Sequence, residues 1–180
     1  MLPLAALLLP TGAMTVIVVA SNWLVQYPIN DVLTWGAITY PFSFLVTDLT
    51  TRLQGPALAR RAVWVGFALA VALSIWLATP RIALASGTAF LAGQLLDIQV
   101  FQKLRAGSWW RAPLVSSTLG SVVDTALFFS LAFAGTDLPW HSLALGDLGV
   151  KLLLAVLALA PFRAVLALAL PSTPSARPGT

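Results

Sequence analysis

Two aspartates lie inside long apolar segments of the chain, and their surroundings are alike enough to suggest one site. Asp97 follows Gly93 by four residues in the string GQLLDIQVF, and Asp124 follows Gly120 by four residues in the string GSVVDTALF. An ionised carboxylate within a membrane helix is costly, so an acid that is retained there usually faces a cavity, a partner or a substrate. We therefore expect a polar site that is built around these two acids.

Helical periodicity places other side chains on the same faces as the two acids. The first set is Phe90, Gln94, Asp97 and Phe101, and the second is Ser117, Ser121, Asp124 and Phe128. At about 1.5 Å per residue, Asp97 lies roughly 9 Å from the basic turn at 103–111 and Asp124 roughly 20 Å from it. The two acids are therefore predicted to lie at different depths, with Asp124 deeper in the membrane.

Further polar and aromatic side chains lie in or beside the apolar segments. They are Asn22, Gln26, Trp35, Phe42, Phe44, Asp48 and Lys151. Carboxylates and amides can bind the edge of a flat heterocycle that carries N–H donors, and aromatic rings can stack on its face. Two alternatives stay open, because Asp48 can pair with Arg52 on the same helix and Lys151 can be a structural ion-pair partner or a snorkelling side chain.

The composition excludes several classes of function. The chain is 59% hydrophobic and 9% charged, with a mean hydropathy of +0.91, which is typical of a membrane protein rather than a soluble domain. It has no cysteine and one histidine, so ordinary zinc sites and Cys/His catalysis are excluded. It also lacks the GxxxxGK phosphate loop and the GxGD string of intramembrane aspartyl proteases. We expect no enzyme activity, no cofactor, no metal and no nucleic-acid partner.

Six apolar segments must position these side chains. They are Leu2–Ser21, Trp35–Leu49 with an internal Pro41, Ala62–Ala78, Ile82–Phe101, Ala112–Ala134, and Leu148–Leu170 with an internal Pro161. A helix of about 20 residues crosses a hydrocarbon core of roughly 30 Å. We therefore predict an all-α integral membrane protein, a bundle of six transmembrane helices, with loops that include residues 52–61, 103–111 and 135–147.

The basic residues of the loops indicate the orientation. One predicted side receives Arg52, Arg60, Arg61, Lys103, Arg105, Arg111 and Arg177, and the other receives Arg81 and Lys151. The positive-inside rule places the first side, with both termini, in the cytoplasm. We predict residues 1–170 as one six-helix transmembrane domain and residues 171–180 as a disordered cytoplasmic tail.

Four strings of the chain are long enough to be specific, namely SNWLVQYPIN, LTWGAITYPFSFLVTDLTTRLQGPALARR, RIALASGTAFLAGQLLDIQVFQKLR and WWRAPLVSSTLGSVVDT. They resemble the queuosine precursor transporter family, also called the vitamin uptake transporter family. The resemblance covers about Ser21 to Pro161, and the family's polar pattern falls on Asn22, Asp48, Gln94, Asp97, Ser116, Asp124 and Lys151. The chain departs from the family at Ser117, Ser121 and Arg163, where members usually carry Thr, an amide and Tyr.

The resemblance implies a multi-pass importer of 7-cyano-7-deazaguanine or 7-aminomethyl-7-deazaguanine in the bacterial inner membrane. Because the chain has no ATP-binding motif, transport would be secondary transport or facilitated diffusion. The family is related to the S-components of vitamin ABC importers. The alternative is therefore a substrate-binding subunit for a purine-like or vitamin ligand, which needs a separate energising complex.

The predicted substrate-binding residues combine the polar and aromatic candidates. They are Asn22, Gln26, Trp35, Phe42, Phe44, Asp48, Gln94, Asp97, Ser117, Ser121, Asp124 and Lys151. We expect Asp124 or Asp97 to accept hydrogen bonds from the N–H edge of a 7-deazaguanine. Gln94 would bind the neighbouring carbonyl, and Trp35, Phe42 or Phe44 would stack on the ring. The expected partners are this small molecule and membrane lipid, and small residues allow a homodimer without deciding for it.

Overall fold

The computed structural model describes residues 4–24, 27, 29–30, 33, 35–77 and 79–169, and this part of the chain contains helices and no strand. The helices are α1 (Leu4–Leu24), α2 (Trp35–Thr39), α3 (Phe42–Leu53), α4 (Pro56–Leu77), α5 (Pro80–Leu104), α6 (Arg111–Phe133), α7 (Trp140–Leu157) and α8 (Leu159–Ala169). The predicted all-α class is confirmed, and the predicted tail at 171–180 lies outside the described residues.

Several helical segments are long and apolar enough to cross a membrane. Four of them are Pro56–Leu73, Pro80–Leu104, Arg111–Phe133 and Trp140–Ala169, and α1 contains a shorter apolar stretch, Leu7–Ser21. Large apolar side chains on their outer faces are open, with Trp76 87% and Leu168 85% exposed. Apolar surface of this extent needs a lipid or protein environment. The chain is thus a multi-pass membrane protein, and six crossings remain a prediction.

Two prolines divide segments that were each predicted as one helix with an internal proline. The predicted helix Trp35–Leu49 consists of α2 and α3, with Pro41 in the turn between them. The last predicted helix is divided at Ala158, and α7 ends at Leu157, four residues before Pro161. A proline lacks the N–H of a helical hydrogen bond, and its ring clashes with the carbonyl four residues earlier. Both breaks follow from this chemistry, and each segment that was predicted as one helix with an internal proline is present as two shorter helices.

The predicted loop at 52–61 is wrong, because almost all of it is helical. The helix α3 continues to Leu53 and α4 begins at Pro56. Gly55 takes a φ of 92°, a left-handed conformation that commonly ends a helix and that glycine adopts without strain. Proline is well suited to the first turn of the helix that follows. Two residues are therefore enough to turn the chain here.

The predicted loop at 135–147 is shorter than expected. The helix α7 begins at Trp140, so His141 and Asp147 lie in a helix rather than in a loop. This correction matters for the site, because Asp147 now precedes Lys151 by one turn on the same helical face.

The helices α5 and α6 form an antiparallel hairpin that packs closely across two glycines. A Cβ atom at residue 93 would lie 3.0 Å from the Cβ of Asp124 and 3.0 Å from the carbonyl oxygen of Gly120. A Cβ atom at residue 120 would lie 3.0 Å from the carbonyl oxygen of Gly93 and 3.4 Å from the Cβ of Asp97. Each glycine makes room for the aspartate of the other helix. This glycine–aspartate exchange gives a packing reason for the repeated GxxxD spacing.

Two apolar clusters flank a polar interior. The first contains Met14, Val18, Ala59, Val63, Phe90 and Ile98, from α1, α4 and α5. The second contains Phe101, Ala112, Phe162 and Leu166, from α5, α6 and α8. Apart from Ser21 of α1, the buried polar side chains lie on α3, α5, α6 and α7, and they include three of the acids and Lys151. The fold therefore encloses its charged groups between these four helices.

Candidate functional site

A cavity of about 390 Å³ lies in the half of the bundle away from the α5–α6 turn. It is walled by the end of α1, by α2, and by the nearby halves of α5, α6 and α7, and its lining includes Tyr40, Phe90, Asp124, Phe128, Asp147 and Lys151. Small-molecule sites are typically about 300–1,000 Å³ and mostly apolar, with a few polar groups that orient the ligand. This main cavity fits that description.

Lys151 is the centre of a charged cluster in the wall of the main cavity. Its Nζ lies 2.7 Å from Oδ2 of Asp124 and 2.5 Å from Oδ2 of Asp147, and it donates to Oγ1 of Thr125 at 3.0 Å. Thr125 in turn donates to Oδ2 of Asp147 at 2.8 Å. One cation faces two carboxylates, so the cluster has an excess of one negative charge. Such a cluster attracts cations and N–H donors.

Tyr40 joins this charged cluster to the aromatic part of the wall. Its hydroxyl donates to Oδ1 of Asp124 at 2.9 Å, and Nζ of Lys151 lies 5.5 Å from the centre of its ring, within the range of a cation–π contact. The same ring packs edge-on against Phe44 and Phe90. Because Tyr40 sits at the break between α2 and α3, the position of that break sets the position of the hydroxyl.

A second polar group, the serine–aspartate cluster, consists of Asp48, Asp97, Ser116 and Ser117. The two serine hydroxyls donate to Asp48, Ser116 to Oδ1 at 3.0 Å and Ser117 to Oδ2 at 2.9 Å. Asp97 is fully buried and close enough to Asp48 for the two carboxylates to interact electrostatically. Neither oxygen of Asp97 has a hydrogen-bond partner among the described residues.

Gln94 is held beside this cluster by hydrogen bonds within the protein. Its Nε2 donates to Oγ of Ser43 at 2.9 Å, and its Oε1 accepts a hydrogen bond from Thr47 at 2.6 Å. Both ends of the amide are engaged, and the residue is fully buried. Gln94 therefore fixes α5 against α3 in this structure.

A narrow region separates the main cavity from the serine–aspartate cluster. It contains a void of about 10 Å³ whose walls include Asp48, Ser117, Ser121 and Lys151, and a void of this size holds at most one water molecule. Phe44 is 2% exposed and its ring lies against Gly120. The main cavity is thus closed towards the α5–α6 turn.

The structure separates the residues predicted to bind substrate. Asp124 and Lys151 line the main cavity, Asp48, Gln94, Asp97 and Ser117 lie behind it, and Phe44 and Ser121 lie between. The side chains of Trp35 and Phe42 are 51% and 39% exposed, and they are not among the described residues that line the cavity. The side chain of Asn22 and the whole of Gln26 lie outside the described residues.

Three residues of the charged cluster were not predicted, namely Tyr40, Thr125 and Asp147. The spacing of four residues between Asp147 and Lys151 was a usable signal, but it was hidden by the predicted loop. The open alternative of an Asp48–Arg52 pair is not seen, since the Arg52 guanidinium donates to the carbonyl oxygen of Arg105 at 2.6 Å.

Comparison with known proteins gives concordant matches. The family model described as "Putative vitamin uptake transporter" matches residues 34–79 and 74–166. The chain is 36% identical to the "Queuosine precursor transporter" of Escherichia coli (strain K12), over 83% of this chain and 81% of the relative. It is 34% identical to the "Probable queuosine precursor transporter" of Haemophilus influenzae (strain ATCC 51907 / DSM 11121 / KW20 / Rd), over 81% and 79%. No solved structure matches the chain.

Proposed function

The chain belongs to the vitamin uptake transporter family, and from this premise we propose that it imports a queuosine precursor. The ligand would be 7-cyano-7-deazaguanine or 7-aminomethyl-7-deazaguanine. The family is one of transporters rather than enzymes, and two relatives above 30% identity carry the name of queuosine precursor transporter. The binding site is proposed from one observation. The charged cluster, which has an excess of negative charge, lies in the wall of a cavity that is also lined by aromatic rings.

The chemistry of the cluster suits a guanine-like edge. A 7-deazaguanine has a ring N–H and an exocyclic amine that both donate, beside a ring carbonyl that accepts. Asp147 is the more open of the two acids, with a side chain 19% exposed against 5% for Asp124, and a carboxylate can accept both donors. Lys151 can donate to the carbonyl. The rings of Tyr40 and Phe128 line the same cavity and supply apolar faces for the heterocycle.

The position of the main cavity suggests the direction from which substrate enters. The cavity lies away from the end of the bundle that carries Arg52, Arg105 and Arg111, and the positive-inside rule places that basic end in the cytoplasm. The structure would then have its binding cavity open towards the outside. The proposal includes six crossings, with α2 and α3 forming one and α7 and α8 forming another, and both termini inside. Broken helices beside the substrate site are common in secondary transporters.

Uptake by cells tests the function. A bacterial strain that cannot make the precursor and lacks its own importer should form queuosine in tRNA from external 7-deazaguanine only when this chain is expressed. Asp147→Asn and Asp124→Asn should lower that yield at limiting ligand, because each removes an acceptor charge from the cavity. Asp137→Asn, the same change at an exposed position, is the matched control. Wild-type yield from both cavity variants would refute the site.

Reconstitution tests whether the chain acts alone. Purified protein in liposomes should take up labelled 7-cyano- or 7-aminomethyl-7-deazaguanine without ATP or a second protein, by secondary transport or facilitated diffusion. Binding without uptake would instead identify a substrate-binding subunit that needs an energising complex. A reporter fused after Thr180 tests the proposed topology. We expect the protein in the inner membrane of the expressing cells and the reporter on the cytoplasmic side.

A further inference from the structure

The serine–aspartate cluster contains two buried carboxylates whose charge is not compensated by neighbouring cations in the described part of the chain. Asp48 is 2% exposed and Asp97 is 0% exposed, and the two carboxylates interact with each other. Removing an ion from water costs several kcal/mol unless a partner compensates it, and a second like charge nearby adds to this cost. Asp97 has no hydrogen-bond donor among the described residues. A site of this kind is incomplete until something positively charged occupies it.

The charged side chains on the surrounding helices do not supply that charge. Arg52 of α3 donates to a backbone carbonyl at the α5–α6 turn, and Lys151 of α7 is bound to Asp124 and Asp147. The remaining basic residues of the packed helices are exposed; they are Arg60 and Arg61 of α4, Arg81 and Lys103 of α5, Arg111 of α6 and Arg163 of α8. Among the described residues, no group of three acidic or histidine side chains is placed to hold a metal ion.

We propose that Asp48 and Asp97 form a proton-binding site that is separate from the substrate cavity and couples import to a proton gradient. This inference rests on the proposed function as an importer. Asp97 takes up one proton from the side of higher acidity, and the same proton leaves to the opposite side, so that no other reactant is needed. The substrate stays in the main cavity with the charged cluster around Lys151.

The hydrogen bonds assign different roles to the two acids. Asp48 accepts hydrogen bonds from Ser116 and Ser117, and donors of this kind stabilise the ionised form of a carboxylate. Asp97 receives none, so the neutral acid is its better-matched form in an apolar interior. Once protonated, Asp97 becomes a donor that faces the acceptor Asp48. One proton then removes the like-charge repulsion and allows a hydrogen bond between the two carboxyl groups.

The structure also links this proton site to the substrate cavity. The void between them is bordered by Asp48 and Ser117 on one side and by Lys151 on the other. The helix α6 carries the two serines, the glycine that faces Asp97, and Asp124 of the charged cluster. A change in the charge of the serine–aspartate cluster therefore acts on the same helix that presents Asp124 to the substrate.

Proteoliposomes with the purified full chain test the inference, with the membrane potential held at zero. An outside that is more acidic by one pH unit should drive up to about tenfold accumulation of labelled 7-deazaguanine for one proton per substrate. A protonophore should reduce this to equilibration. Asp97→Asn should lose the accumulation while still exchanging labelled for unlabelled ligand across the membrane, because it mimics a permanently neutral acid. Asp137→Asn should accumulate ligand like the wild type.

The outcomes separate this inference from the proposed function. Wild-type protein that only equilibrates ligand under a pH gradient, or that responds to a Na⁺ gradient instead, overturns the proton site and leaves the importer intact. Asp97→Asn protein that accumulates ligand like the wild type overturns it as well. If Asp97→Asn does not fold, the wild-type arm with and without the protonophore decides. Wild-type liposomes that take up no deazaguanine under any gradient refute the proposed function itself.

Discussion

Replacing Lys151 by methionine should destabilise the protein more than replacing Asp124 by asparagine, although the two side chains form one ion pair. Lys151→Met leaves the buried Asp124 and the partly buried Asp147 side by side without a cation. Removing one partner of a buried pair typically costs about 3–5 kcal/mol. Asp124→Asn keeps the side-chain volume and leaves Lys151 bound to Asp147 and Thr125. It removes one hydrogen bond between charged groups, which is worth about 1.5–3 kcal/mol.

The two variants should therefore differ by about 1–2 kcal/mol, or by about 2–8 °C in unfolding midpoint for a chain of this size. The assay is thermal unfolding of the detergent-solubilised protein without ligand. The double variant should lose less than the sum of the single losses, because only Asp147 is then left without its cation. Equal midpoints, or a lower midpoint for Asp124→Asn, would refute the view that Lys151 balances two acids.

Two further predictions concern packing and the tyrosine. Gly120→Ala should cost about 1–3 kcal/mol in unfolding free energy, because the new Cβ meets the ring of Phe44 at 2.7 Å and a carbonyl oxygen at 3.0 Å. Gly149→Ala, with open space around it, should instead stabilise by about 0.5–1 kcal/mol, so a loss at both glycines would contradict the packing argument. Tyr40→Phe should cost about 1.5–3 kcal/mol, the value of a hydrogen bond to a charged group; an unchanged midpoint would show that this bond to Asp124 is not made.

The helical class and the approximate positions of the helices could be predicted because apolar runs report them directly. The exact ends of the helices could not be predicted, because each end depends on the backbone conformation of one or two residues. The chain turns in two residues, Gln54 and Gly55, where a loop of ten was expected. The two prolines could be seen in the sequence. Whether a proline bends a helix or divides it depends on the packing around it, which the sequence does not show.

The acids of the site could be predicted from their cost in a membrane, with Lys151 as a candidate ion-pair partner, but which groups surround each acid could not. Asp97 and Asp124 were expected to belong to one polar site, at different depths in the membrane, because their sequence surroundings match. In the structure Asp124 binds Lys151, whereas Asp97 lies beside Asp48. Which face of each helix meets which neighbour is set by tertiary packing, and the glycine–aspartate exchange offsets the two acids along the α5–α6 interface. Tyr40 was not included among the predicted site residues, because its contact with Asp124 joins distant parts of the chain.

The glycine–aspartate exchange also limits how the protein can move. The backbones of Gly93 and Gly120 approach each other closely. If α5 moved along α6 by one residue, a larger side chain would collide with a carbonyl oxygen, because protein interiors are close-packed. The hairpin of α5 and α6 is therefore expected to stay rigid. A rearrangement that opens the other end of the bundle would move the interrupted segments, α2–α3 and α7–α8. Those segments carry Tyr40 and Lys151, the donors to Asp124. The α5–α6 hairpin thus fixes the position of Asp124, and movement of the α2–α3 and α7–α8 segments changes which donors surround it.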